Sequence, residues 1–254
     1  TNLNVLSDMQ VLTTMARLPR LYAPGLPQLV QAAFIQPLAT ASQPAPTEIL
    51  NQLALWLGES AQRHRVAVHG WLLAHDRILL LATPSDENGL PRLMQTLGRN
   101  LAARLRKGRI FASRYRSALL EPGAWVLPAL IWLETHPVRQ GHSQDADAWP
   151  WSSASNHTGH TSVPAASWQV DHADYWACGN TPFDRQANYR KRLQEGLSRE
   201  QTQRIDDAVK GQWALGGTRF IESLAHTASR RVTPGQRGRP RKKPLDDTDA
   251  SGTT

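Results

Sequence analysis

Cysteine is almost absent from this chain: Cys178 is the only one in 254 residues. A single thiol excludes a disulfide framework and any Cys-rich zinc or iron–sulfur site. It fits a reducing compartment, so a cytoplasmic protein is expected. Long apolar runs are missing too. The longest, residues 124–133 (AWVLPALIWL), is broken by Pro128 and is about half a membrane span. Residues 1–22 lack a basic stretch followed by an apolar one, so no secretory signal is expected. Met15 opens MARLPRLY, and the residues before it read as an upstream extension. Tyr and Phe are scarce at four each, yet there are nine Trp.

Acidic residues are missing from two stretches that are rich in base. The formal charge is +8. Seven positive residues (Arg230, Arg231, Arg237, Arg239, Arg241, Lys242 and Lys243) lie in residues 230–243 with no acid among them, and without them the chain stands at +1. A second acid-free block runs from Arg92 to Arg116. It holds Arg92, Arg99, Arg104, Arg106, Lys107, Arg109, Arg114 and Arg116. Localised positive charge points to a polyanion partner, nucleic acid before membrane. The second block reads equally as a solvated helix face. Within the tail, Arg237-Gly238-Arg239-Pro240 followed by Arg241, Lys242 and Lys243 resembles an AT-hook core. An extended Arg-Gly-Arg can lie in a narrow A·T minor groove, while a generic basic tail would bind any polyanion by counterion release.

Apolar spacing divides the chain into an arm (1–22), an α+β domain (23–160), a helical appendage (161–228) and a Pro-, Gly- and charge-rich tail (229–254) whose composition does not fold alone. Strands are predicted over 28–38, 66–73, 78–83 and 115–120. Helices are predicted over about 47–57, 90–107 and 123–135, with Pro128 a weak point unless it lies in the first turn. In the second helix Leu90, Met94, Leu97, Leu101 and Leu105 form the buried stripe, and Arg92, Arg99 and Arg106 recur every seven residues opposite it. The order strand, helix, strand, strand, helix, strand, helix suggests a ferredoxin-like antiparallel sheet with packed helices. Residues 154–165 read as a loop, and Ser198 with Gln201 as a capping box for one of three short helices. Those helices read as a packing appendage rather than a helix-turn-helix.

Several strings occur together in one order: LPRLMQTLGRNLAARL, RYRSALLEPGAW, WLETHPVRQG, DAWPWSS, YWACGNTPF, GGTRFIESLA and RRVTPGQRGRPRKK. In order and spacing the chain resembles the REP-associated tyrosine transposases, within the insertion-sequence tyrosine transposases of the His-hydrophobic-His type. The resemblance spans roughly residues 15–243 and implies DNA transposition: cleavage and rejoining of single-stranded or hairpin DNA. In that chemistry two histidines hold Mg or Mn and a tyrosine attacks the phosphate. Here LAHDRILLLATP (73–84) places Asp76 and Ile78 at the histidine positions. Counting back from HPVR places Trp132 at the tyrosine position, and His136 at a polar position that would complete the metal site. Isoleucine cannot ligate and indole is no nucleophile, so a DNA-binding protein that has lost nicking is expected. Asp76 and His136 are the remaining candidate ligands, and Tyr115 is the candidate displaced nucleophile. Trp132 and Trp125 then read as former active-site surface turned apolar.

The resemblance also implies a nucleoid-associated cytoplasmic monomer, with a dimer as the alternative. A non-catalytic regulator of repeat elements is the nearest other reading. An RNA-binding protein, which would need aromatics on an open sheet face, ranks last. Of the nine histidines, His136 and His142 near the third helix end and His157, His160 and His172 in the loop region match no zinc spacing, and the dispersed loop histidines are expected to face solvent. Cys178 is expected to be a small buried residue rather than a nucleophile.

Overall fold

The computed structural model describes residues 19–39, 47–160 and 167–235. In chain order the elements are β1 (Gln28–Ala33), α1 (Thr47–Arg63), β2 (Val66–Leu73), β3 (Arg77–Pro84), α2 (Gly89–Leu105), β4 (Arg116–Leu120), α3 (Val126–Glu134), α4 (His136–Arg139), α5 (Ala154–Thr158), α6 (Ala173–Trp176), α7 (Pro182–Glu195), α8 (Arg199–Gly211), β5 (Ala214–Leu215) and α9 (Thr218–Thr227). The fold is α+β. Strands β2, β3, β1 and β4 lie side by side in that order, all antiparallel, which is the ferredoxin-like arrangement. The short β5 adds a fifth strand parallel to β4, so the whole sheet is mixed rather than purely antiparallel.

Period-two alternation sends each strand's side chains to two different cores. On β3, Ile78, Leu80 and Ala82 face the layer made by α1 and α2, with Leu50, Leu53, Leu57, Leu93, Leu97 and Leu101. Leu79 and Leu81 face the other layer, with Leu130 and Leu133 of α3, Tyr189 of α7 and Ile205 of α8. Among the described residues both sheet faces are therefore packed against helices. The region 167–228 contributes α7 and α8 to the second core and β5 to the sheet edge. Helix α3 sits directly on β2: a Cβ at Gly70 would run into Leu130, and β2 shifts register between Val68 and Gly70.

Local rules set the boundaries. The helix expected over 90–107 ends at Leu105 because Arg106 takes a left-handed conformation (φ 51°) and its N–H returns to Ala102 and Ala103. Arg106 is thus the cap rather than part of the arginine face of α2. Pro128 is tolerated because it falls in the first turn of α3. The Ser198–Gln201 capping box is present on α8. The stretch expected as a loop after residue 154 begins instead with α5, whose His157 and Thr158 are fully buried.

Candidate nucleic-acid interface

Helix α2 and the segment 108–115 leading into β4 enclose a groove over the α1–α2 side of the sheet. It consists of two adjoining depressions, of about 450 and 410 Å³, which share Met94, Gln95, Phe111, Ser113 and Arg114. Arg20, Arg92, Arg99, Arg109 and Arg114 line it, and among the described residues no carboxylate does. Its floor is apolar: Met94, Ala102, Ile110, Phe111 and the ring of Tyr115. Phe111 stacks on Phe34, with ring centroids 5.7 Å apart. The loop that carries the far wall is held by Arg109, whose guanidinium donates to the carbonyls of Phe111 (2.9 Å) and Ala112.

Of the basic residues singled out in the sequence, Arg92, Arg99, Arg109 and Arg114 line this groove. Arg106, Lys107 and Arg116 are exposed outside it, and Lys107 Nζ donates to Gln36 Oε1 (3.2 Å). Arg104 reaches Glu48 at 3.8 Å. Arg237, Arg239, Arg241, Lys242 and Lys243 lie outside the described residues. Arg230, counted with the tail, is bound into the fold: its guanidinium lies 5.1 Å from the Trp213 ring centroid and donates to the carbonyls of Gln212 and Arg231. Sequence reading missed Arg20, which sits in an arm of unremarkable composition. Its guanidinium stacks 4.5 Å from the Tyr115 ring centroid.

Of the four residues that the resemblance singles out, Asp76 and His136 approach each other, and Trp132 shares the neighbour Arg139 with His136. His136 Nε2 lies 4.0 Å from Asp76 Oδ1, too far for a hydrogen bond, and has no other partner. Trp132 Nε1 donates to Asp206 Oδ1 (3.0 Å), and Arg139 lies 5.3 Å over the indole. Ile78 does not join them, because strand alternation buries it in the α1–α2 core. Nor does Tyr115, which lines the groove on that other side.

The cluster does not suit a divalent ion. Arg77 holds Asp76 Oδ2 through two hydrogen bonds, at 2.6 and 2.8 Å. Burial would raise the Asp76 pKa, but the hydrogen bonds and charge of Arg77 outweigh it and hold the carboxyl below its usual range. Burial, with Arg77 and Arg139 adding repulsion, lowers His136 to about 4. Asp76 is thus already paired with Arg77, and Arg77 and Arg139 add positive charge against a cation beside His136. Among the described residues no three His, Cys, Asp or Glu side chains are grouped to hold a metal. Tyr115 is not activated either: burial raises its pKa to about 12 against the opposing pull of Arg20.

A second polar cluster escaped sequence reading altogether. Glu134, fully buried at the end of α3, accepts from Ser153 Oγ (2.6 Å), His157 Nδ1 (2.6 Å) and Tyr189 OH (2.7 Å). Ser153 Oγ also accepts the Trp71 amide of β2 (3.0 Å), and Tyr175 OH donates to the His157 carbonyl (2.9 Å). One carboxylate therefore ties β2, the WPWSS string, α5, α6 and α7 to α3. Burial pushes the His157 pKa down, but the charge of Glu134 and the hydrogen bonds of Asp171 and Glu134 win and raise it to about 9. That shift favours the charged form, and the full burial of His157 is contrary to the solvent-facing loop histidine expected. His136 is buried as well. Cys178 is buried as expected, and burial raises its thiol pKa.

These shifts set a pH profile. His157, raised from 6.5 to about 9, contributes stability that is complete below pH 6.5 and is lost as pH rises through 9. His69 and His136, both lowered by burial to about 4, act in the opposite sense. The unfolded chain takes up their protons first, so stability falls as pH drops from 6.5 toward 4. Urea midpoints measured from pH 4 to 10 are expected to peak near pH 6.5. A plateau up to pH 9.5 would contradict the charged state of His157.

No family model matches this chain, and no curated protein matches it. Among solved structures, a REP-associated tyrosine transposase bound to a REP hairpin aligns at a TM-score of 0.47 and 12% identity, covering 63% of this chain and 96% of that one. At that score and identity the likeness is weak, and the functional reading rests on the chain's own residues. Among the described residues no helix is long and apolar enough to cross a membrane.

Proposed function

We propose that this chain is a DNA-binding protein that resembles the tyrosine transposases and grips DNA through the arginine groove without cutting it. The observation that carries this reading is the groove itself: five arginines, no carboxylate and an apolar, aromatic floor. Guanidiniums pair with phosphates and release counterions, while an aromatic floor accepts bases from an unpaired strand. The AT-hook-like tail adds a second contact, to A·T-rich duplex, in the same reading. Loss of nicking is supported by Trp132, pinned to Asp206 where the resemblance calls for a nucleophile, and by Arg77 and Arg139 around Asp76 and His136.

The two halves of the proposal separate in one experiment. Purified protein is incubated with single-stranded hairpin DNA and Mg²⁺ or Mn²⁺, then denatured and resolved by size. Retarded native complexes without a covalent protein–DNA adduct are expected. An adduct would overturn the loss of nicking, and the absence of any native complex would overturn DNA binding.

A further inference from the structure

The groove is built differently at its two ends. At the far end it opens past Arg99 and Gly108. At the near end it stops at the arm that carries Arg20. That arm is pinned: Leu21 and Ala23 are buried with Leu119, Leu224 and Val232, and the Arg20 carbonyl accepts from Ser229 Oγ (3.1 Å). A strand lying in the groove therefore meets a wall there.

The chemistry at the wall is that of an anion site. Arg20, Arg92 and Arg114 line this end together with Tyr115, the Arg20 guanidinium lying over its ring, and among the described residues none of the three makes a salt bridge. The Nε of Arg20 is buried without a hydrogen-bond partner, a donor left unspent. Tyr115, only 6% exposed, keeps its proton and can donate it. The first turn of α2, which also borders this end through Asn88, has no acid and no side-chain cap. Asp86, whose carboxylate accepts the Asn88 N–H (2.7 Å), and Glu87 stand just before that turn, so the positive charge at this end comes from the guanidiniums.

We propose that this walled end is a subsite for the terminal phosphate of a nucleic-acid strand, so that the groove holds strand ends in preference to the interior of a strand. A terminal phosphate monoester is close to a dianion at neutral pH and offers three free oxygens. An internal phosphodiester carries one charge and offers two. Three guanidiniums and a phenol match the first, and the pinned arm stands at that end of the groove. The inference rests on the DNA-binding reading and sharpens it.

The test uses one single-stranded oligonucleotide in four forms: 5′-phosphate, 3′-phosphate, both ends hydroxyl, and circular. Fluorescence anisotropy with the full chain gives the affinity of each. A phosphate-ended form is expected to bind about tenfold more tightly than the hydroxyl-ended form, and the circle no better than the latter. Whichever phosphate gains identifies the end that is held. In Arg20→Gln that ratio is expected to fall to about one. In Arg99→Gln, at the open end, every form is expected to weaken while the ratio persists. Equal binding of all four forms by the unaltered chain would overturn the terminal subsite and leave DNA binding standing. So would a ratio abolished by Arg99→Gln but kept by Arg20→Gln. Failure of all four forms to bind would overturn the DNA-binding reading, and the subsite with it. Thermal melting of each variant separates lost contacts from lost folding.

Discussion

Reversing two charges in the groove, Arg99→Glu with Arg114→Glu, is expected to weaken DNA binding roughly 100-fold at low salt. Both residues are exposed, so folding should change little. The effect should depend on salt. Each phosphate contact contributes about 0.7 to 0.9 to the slope of log K against log salt, so losing two should flatten that slope by about 1.5. Lys107→Glu, exposed beside the groove but not lining it, should cost far less. An anisotropy titration at several salt concentrations reads both quantities. An unchanged slope in the double variant would place the phosphate contacts elsewhere on the molecule.

Glu134→Ala is expected to be the most destabilising single change of a polar side chain, by about 3–5 kcal/mol. The carboxylate is completely buried and accepts three hydrogen bonds. Its removal leaves His157 with Asp171 (3.5 Å) as its one remaining acidic partner and strands the hydroxyl of Tyr189, while Ser153 keeps the Trp71 carbonyl (3.3 Å). Tyr189→Phe removes one donor and keeps the ring, and should cost about 1–3 kcal/mol. Urea unfolding followed by tryptophan fluorescence measures both. A loss below about 1 kcal/mol for Glu134→Ala would mean that the buried network is incidental to stability.

The contrast between these two predictions explains what the sequence did and did not disclose. Helix α2 shows a clear apolar stripe and β2 to β4 are apolar runs buried on both faces, so pattern located them within a few residues, whereas α1 runs to Arg63, beyond its last counted apolar position, Leu57. The ferredoxin-like order followed from their succession. The groove was half legible: an acid-free block points to a polyanion, but spacing alone cannot say that Arg92, Arg99, Arg109 and Arg114 line one cleft while Arg106 caps a helix. Arg20 was invisible because it arrives from 95 positions before Tyr115 and meets it only in space. The Glu134 network was invisible for the same reason. Glu134, Ser153, His157 and Tyr189 span 55 positions and look like ordinary surface residues one by one. The strings that carry the resemblance hold several members of that network: Glu134 in WLETHPVRQG, Ser153 in DAWPWSS and Tyr175 in YWACGNTPF. Part of what those strings encode is therefore a buried lock rather than a reacting surface. The two-residue β5 and the four- or five-residue helices α4 to α6 are too short to show any period.

Where DNA lies on this surface can be read most directly by photo-crosslinking. A single-stranded hairpin carrying bromodeoxyuridine in its unpaired segment is bound to the full chain, irradiated and digested, and the crosslinked peptides are identified. Crosslinks at Phe111 or Tyr115, within the peptide that follows Arg109, are expected, with tail peptides around Arg237–Lys243 labelled in addition when the stem is A·T-rich. Crosslinks confined to the tail, or to the α7 surface, with none between residues 109 and 116, would contradict the groove as the DNA-binding site.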